Sequence, residues 1–221
     1  MPAQRSRPDD SAQTRPYRSP RRAAAAELTR RAVLAAADDL FRSRGWSGTS
    51  MREVAARAGV AVETVYATAG SKRALLRQVS DVAVVGDDAQ VALAARPEFA
   101  ALGSGSRGER LAAAARMLTR LNSRTAALNR ALEHAAPTNP GLAEELGSSR
   151  ARQRATNRLA LTLVLDREPD DALVDAVWAV GHGQVYLLLV ESAGWSDHQY
   201  ERWLADMFDR QLSHLPEMET P

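Results

Sequence analysis

Residues 49–72 read T-S-M-R-E-V-A-A-R-A-G-V-A-V-E-T-V-Y-A-T-A-G-S-K, and their spacing predicts two short helices joined by a tight turn. Ser50 followed three residues later by Glu53 is a capping box, in which each side chain satisfies an amide that the first helical turn leaves unpaired. Met51, Val54, Ala55 and Ala58 then recur at helical spacing, so one face is apolar while Arg52, Glu53, Ala56 and Arg57 look outward. Gly59 takes the left-handed backbone conformation without a side-chain penalty, which ends the first helix and turns the chain. Ala55 is small enough to admit a second helix closely, with Val65 packed into the crossing. The outward face of that second helix is Ala61, Val62, Glu63, Thr64, Tyr66, Ala67 and Thr68. Small and hydroxyl-bearing groups of this kind can enter a major groove about 12 Å wide and reach phosphates and base edges. Taken alone, the spacing also fits a helical hairpin that happens to carry a glycine.

The flanking residues add to this. Upstream, Val33, Ala36, Ala37, Leu40 and Phe41 make an amphipathic helix, predicted from about Ala23 to Arg44 and ending at Gly45, before the short link Trp46 to Gly48. Downstream, Ser71 caps a fourth helix reaching to about Val85, with Lys72, Arg73 and Arg77 in its first turns. Cations there oppose the helix macrodipole, at a cost of a few tenths of a kcal/mol that a facing phosphate would offset. The expected DNA-contacting set is therefore Thr49, Ser50, Arg52, Ala61, Val62, Glu63, Thr64, Tyr66, Thr68 and Lys72.

This order of helices resembles the tetracycline-repressor (TetR) family of bacterial regulators. The matching residues are Phe41, Gly45, Thr49, Val54, Ala55, Ala58, Gly59, Val60, Thr64, Val65, Tyr66, Ser71, Lys72 and Leu75. Two positions depart: Ala69 stands where the family has a large aromatic before the Ser-Lys corner, and Thr68 where it often has an aromatic or His. The departures imply a less firmly seated second helix, or a group from elsewhere in the space of the missing ring. The resemblance implies an all-α fold of about nine helices, with a helix-turn-helix domain followed by a helical bundle for effector binding and dimerisation. It also implies a homodimer on an inverted repeat of double-stranded DNA, released by a small-molecule effector.

Charge is divided along the chain. Residues 1–80 carry 15 basic and 7 acidic side chains, and the remainder 14 and 20, although the net charge of the whole is only +2. The basic half is the one expected to face a polyanion. All the basic residues but Lys72 are arginines, and there is no cysteine, which removes disulfides and thiolate chemistry and suits a reducing, cytoplasmic setting. Residues 1–22 hold six Arg, two Asp and almost no apolar side chains, and are predicted to be a disordered basic arm. Residues 23–70 are then the DNA-binding domain, 71–215 the effector-binding and dimerisation domain, and 216–221 a disordered tail.

Within the second domain the pattern predicts a short helix from Asp87 to Ala95, and a mobile loop around the Pro97 and Gly103-Ser104-Gly105-Ser106 stretch. Two helices follow, Arg107 to Leu121 and Ser123 to His134, then a long helix from Pro140 to Leu165 capped by Asn139. Between Ala172 and Val190 the chain is apolar nearly throughout, yet too interrupted for a membrane span of ~20 residues. A second capping box, Ser196 with Gln199, starts a last helix whose Tyr200, Trp203, Leu204, Met207, Phe208 and Leu215 follow amphipathic spacing. Pairing these two helices with their copies would make a four-helix bundle about a two-fold axis, with Val177, Val185, Leu188, Tyr200, Trp203, Leu204, Met207 and Phe208 at the interface. The run V-Y-x-L-L-V-E-x-x-G-W-S-x-x-x-Y-E-x-W-L from Val185 is similar to a subset of actinobacterial family members.

Candidate effector contacts are His134, Gln153, Asn157, Trp178, His182 and Tyr186, and largely aliphatic surroundings suggest an uncharged or weakly polar ligand. No cofactor or metal site is expected, since there is no His-x-x-x-His pair and no carboxylate cluster with ligand spacing. Enzyme signatures such as G-x-S-x-G, a P-loop or a dinucleotide fingerprint do not occur. The rival reading is a helical nucleoid-associated or protein-interaction module without sequence specificity.

Overall fold

The computed structural model describes residues 20–86 and 92–213. Their regular structure is entirely helical: α1 Pro20–Arg44, α2 Met51–Ala58, α3 Val62–Ala69, α4 Lys72–Val85, the single turn α5 Pro97–Ala100, α6 Arg107–Ala135, α7 Pro140–Leu165, α8 Asp171–Val180, α9 Gly183–Leu187 and α10 Asp197–Ser213. Setting aside the single turn α5, these are the nine or so helices that the sequence predicts. The first begins at Pro20, inside the stretch expected to be a disordered arm; residues 1–19 lie outside the described residues, as do Asp87–Val91 of the predicted short helix and the tail from residue 214.

Two apolar cores share α6 as their common wall. The first is built from Val33, Ala37, Leu40 and Phe41 of α1, Met51, Val54 and Ala55 of α2, Val65 and Ala69 of α3, and Leu75, Leu76 and Val79 of α4. It is closed by Leu128, Leu132 and Ala135 of α6 and Leu142 of α7, so it extends past residue 70 into the helices that follow. The second core gathers Leu111 and Ala115 of α6, Leu161 and Val164 of α7, Leu173, Val174 and Val177 of α8, Tyr186 and Leu187 of α9, and Tyr200, Leu204 and Phe208 of α10. Phe99 and Leu102 are buried in it. The region predicted as a mobile loop is therefore pinned by these two side chains, one on α5 and one on the 3-10 turn Ala101–Gly103.

Two further expectations are corrected by one side chain. Two helices are expected, Arg107 to Leu121 and Ser123 to His134, but α6 runs unbroken from Arg107 to Ala135. The apolar run from Ala172 to Val190, expected to be one helix, breaks instead at Gly181-His182. Asn122 accounts for both. It is buried, and its Nδ2 donates to the Gly181 carbonyl at 3.0 Å and to the Tyr200 hydroxyl at 3.1 Å. Hence the carbonyl exposed by the break finds a partner on α6, and Asn122 acts as a tertiary clamp rather than a cap. A Cβ on Gly181 would lie 2.5 Å from Leu118 Cδ2, so a larger residue there would make the Leu118 side chain turn aside. Burial pushes the Tyr200 hydroxyl pKa up to about 12, against the opposing effect of the Asn122 hydrogen bond, so that phenol stays neutral. Segment Asp171–Ser192 is apolar enough to cross a membrane by length and composition, with mean hydropathy 1.5, but here α8 packs on α7 and α10 and α9 on α6, with Leu173, Val174, Val177, Tyr186 and Leu187 in the second core.

Asn122→Ala would leave the Gly181 carbonyl and Tyr200 hydroxyl buried without this donor. We expect a loss of about 2 to 3 kcal/mol in chemical denaturation; a loss under ~0.5 kcal/mol would remove Asn122 from the clamp.

Candidate functional site

The helix-turn-helix follows from the local chemistry of its caps. Ser50 N donates to Glu53 Oε2 at 2.8 Å and Glu53 N donates to Ser50 Oγ at 3.2 Å, completing the capping box. Gly59 ends α2 with φ of 68°, in the left-handed region. The hydrogen bonds from Ser50, and after them the Arg44 guanidinium, hold the Glu53 carboxyl below the usual carboxylate range. Ion pairs Arg44–Glu53 at 2.9 Å and Arg57–Asp39 at 2.7 Å tie α2 to α1 across the surface. They escaped the sequence reading because their partners are 9 and 18 residues apart with no periodic signal.

Helix α3 buries Val65 and Ala69, which leaves the opposite side to solvent. Ala61, Glu63 and Ala67 are exposed, Val62, Thr64 and Thr68 half-buried, and Tyr66 is 50% exposed although it is a large aromatic. The Thr68 hydroxyl donates back to the Thr64 carbonyl at 2.7 Å, which occupies its proton within the helix. Ser50 and Arg52 are exposed at the start of α2, on the same unit.

Two members of the expected DNA-contacting set have other work. Thr49 is only 3% exposed and its hydroxyl donates to the Gly45 carbonyl at 2.9 Å, so it closes the link between α1 and α2 instead of facing a ligand. Lys72 donates from Nζ to the Trp46 carbonyl and sits 4.2 Å above the centre of the Trp46 ring. Trp46 in turn stacks on Phe41, with ring centres 6.1 Å apart. Burial lowers the Lys72 pKa, while the charge of Glu53 raises it. Trp46 also packs against the first core, so a ring from the link supports the head in which Ala69 stands at the family's aromatic position.

The candidate effector residues are not gathered in one place. Asn157 lines an apolar cavity of about 50 Å³ between α6, α7, α8 and α10, with Leu111, Leu118, Leu161 and Phe208 among its walls. The other five lie outside that lining. Gln153 accepts from Trp178 Nε1 at 3.3 Å, Trp178 meets His182 edge-on at 5.6 Å, and His182 Nε2 is 3.7 Å from Glu133 Oε1. Tyr186 is buried, donating to Asp197 Oδ1 at 2.7 Å, and His134 is exposed. The cavity walls come in equal part from the inward stripes of α6 and α7; stripes of that kind read from sequence as plain core. No group of three or more potential metal ligands occurs among the described residues.

The expected dimer residues also divide. Val177, Tyr200, Leu204 and Phe208 are consumed by the chain's own second core, which corrects their assignment to a subunit interface. Amphipathic spacing marks an apolar face but does not say which chain covers it. Val185, Trp203 and Met207 are half-buried, and Leu188 is 62% exposed. Trp203 already contacts Trp195 and Tyr200, with ring centres 6.2 and 5.8 Å apart.

A capped helix-turn-helix carried on an all-helical body defines a DNA-binding regulator. Residues 33–79 match the sequence profile described as "Bacterial regulatory proteins, tetR family". The fold over most of the chain is similar to that of solved bacterial regulators. A putative TetR-family transcriptional regulator from Mesorhizobium loti aligns with a TM-score of 0.61 and 20% identity, over 85% of this chain and 96% of that one. A putative transcriptional regulator from Pseudomonas aeruginosa gives 0.60 and 18%, over 85% and 92%. A TetR-family member from Streptomyces coelicolor gives 0.56 and 22%, over 81% and 97%. No curated protein sequence matches the chain.

Because Lys72 braces the Trp46 link, Lys72→Ala should cost roughly 1 kcal/mol of stability and shift tryptophan emission. A denaturation curve superimposable on the parent's would show the brace to be idle.

Proposed function

We propose that the protein is a transcriptional repressor that binds an inverted-repeat operator as a homodimer and leaves it when a small-molecule effector binds. The observation that carries this is the solvent face of α3. A large aromatic, Tyr66, stands 50% exposed among small and hydroxyl-bearing neighbours, on a helix whose other side is fixed in the core. Thr64 and Tyr66 are suited to phosphates and base edges, Val62 to thymine methyls, and Glu63 to the amino group of cytosine. Ser50 and Arg52 supply contacts from α2. The arm of residues 1–22, with six arginines, adds phosphate contacts. Residues 23–70 read the DNA and residues 71–215 hold the effector and the subunit contact, with α4 belonging mechanically to both; the cytoplasm is the setting this role requires.

Two copies of α3 related by a two-fold axis would read half-sites ~34 to 36 Å apart if one helical turn separates them. An effector that prefers a different separation lowers operator affinity by as much as it prefers that state. The subunit contact falls to what the second core leaves outside, with Leu188 at its centre and Val185, Trp203 and Met207 around it.

Competition binding separates this from a non-specific nucleoid protein. A palindrome from the DNA flanking the gene should be preferred over random duplex by about three orders of magnitude or more at physiological salt. Tyr66→Ala should weaken that preferred complex by about 1 to 3 kcal/mol without altering the melting curve, and unchanged affinity would take Tyr66 out of the interface. In sedimentation, Leu188→Asp should run as a monomer; a variant that stays dimeric would move the subunit contact elsewhere.

A further inference from the structure

An arginine-rich crevice adjoins the apolar cavity that Asn157 lines. The crevice, of about 240 Å³, is lined by Val85, Leu93, Arg96, Glu98, Ala113, Arg116, Met117, Arg120 and Arg124. Leu93 and Met117 line both spaces, so the crevice and the apolar interior are neighbours with these two side chains between them. Met117 is unbranched and flexible, the kind of side chain that yields to a ligand. The two linings differ in chemistry. The inner one is apolar except for Thr156 and Asn157. Among the described residues the outer one holds Arg96, Arg116, Arg120, Arg124 and Glu98, of which Arg96 and Arg124 already have partners.

Arg116, Arg120 and Arg124 recur every four residues along α6, which brings like charges one above another at a cost of a few tenths of a kcal/mol per pair. Arg116 and Arg120 are exposed and make no ion pair among the described residues. An anion placed between them would turn that repulsion into attraction. Arg124, the least exposed of the three, also touches the DNA-binding head: its Nε donates to the Ala83 carbonyl at 3.0 Å and its Nη2 to the Val84 carbonyl at 3.3 Å, at the C-terminal end of α4. The Arg124 carbonyl accepts from Arg42 Nη2 of α1.

We propose that the effector is an anionic amphiphile, an apolar tail bearing one carboxylate or similar head group, and that its head is read at Arg116, Arg120 and Arg124 while its tail passes Leu93 and Met117 into the cavity. The bound anion competes with the α4 carbonyls for the Arg124 guanidinium. Release of those carbonyls frees the end of α4, and with it the seating of the head on α6. The inference rests on the regulator reading above and replaces the uncharged ligand that the sequence suggested.

The test is calorimetric titration of the full chain with three probes of one tail length, octanoate, 1-octanol and octylamine, alongside DNA binding of the same samples. Octanoate should bind at least tenfold more tightly than octanol, octylamine more weakly than either, and added salt should erode only the octanoate affinity. The double variant R116A/R120A should lose about tenfold for octanoate and keep its octanol affinity. Equal binding of octanoate and octanol, no binding of either, or full octanoate affinity in the double variant would overturn the proposal even where DNA binding is intact. Octanoate selectivity in a chain that ignores every DNA would uphold the ligand class and defeat the regulator reading.

Discussion

The hold on α4 is the constraint on which the rest of the molecule depends. Leu75, Leu76 and Val79 of this helix lie in the first core beside α1, α2 and α3, while its last carbonyls are held by Arg124 of α6. Its N-terminal Lys72 braces the Trp46 link. An element gripped at both ends and along one face cannot shift without carrying the helix-turn-helix with it. Interiors this closely packed are stiff, so a displacement at one end is transmitted rather than absorbed.

α6 plays the complementary part. It walls both cores, and its polar residues face the places where neighbouring elements end: Asn122 meets the carbonyl freed where α8 stops, and Arg124 meets those at the end of α4. Helix ends leave carbonyls that need donors. Supplying those donors from one long helix ties head and body to a common frame, and it places the arginines in the crevice beside the apolar cavity.

The head was legible in the sequence because its signals are local. The Ser50–Glu53 box, the Gly59 turn, the Ser71 cap of α4 and the Asn139 cap of α7 depend on residues three or four apart, and each lies where the spacing put it. The body was less legible because its decisive contacts are distant. Asn122 and Gly181 are 59 residues apart, so no local spacing connects the continuity of α6 with the break at 181. Apolar periodicity identified the stripes of α6 and α10 but not their partners, so core residues such as Tyr200 and Leu204 were taken for a subunit surface. The effector candidates are scattered for a related reason: Gln153, Trp178 and His182 contact one another, while the cavity is walled mostly by aliphatic side chains. Thr49 and Lys72 were read by type and position as groups for DNA, and only the fold shows what their polar atoms touch first.

The chain has no cysteine, so a single substitution at exposed Ala67 places one spin label on each α3, and pulsed dipolar spectroscopy of the operator complex tests the central claim directly. The account predicts one narrow distance distribution, consistent with helices ~34 to 36 Å apart if one turn of DNA separates the half-sites, that shifts when Arg124 is replaced by Gln. The absence of a dipolar signal, or a distribution indifferent to Arg124, would contradict it.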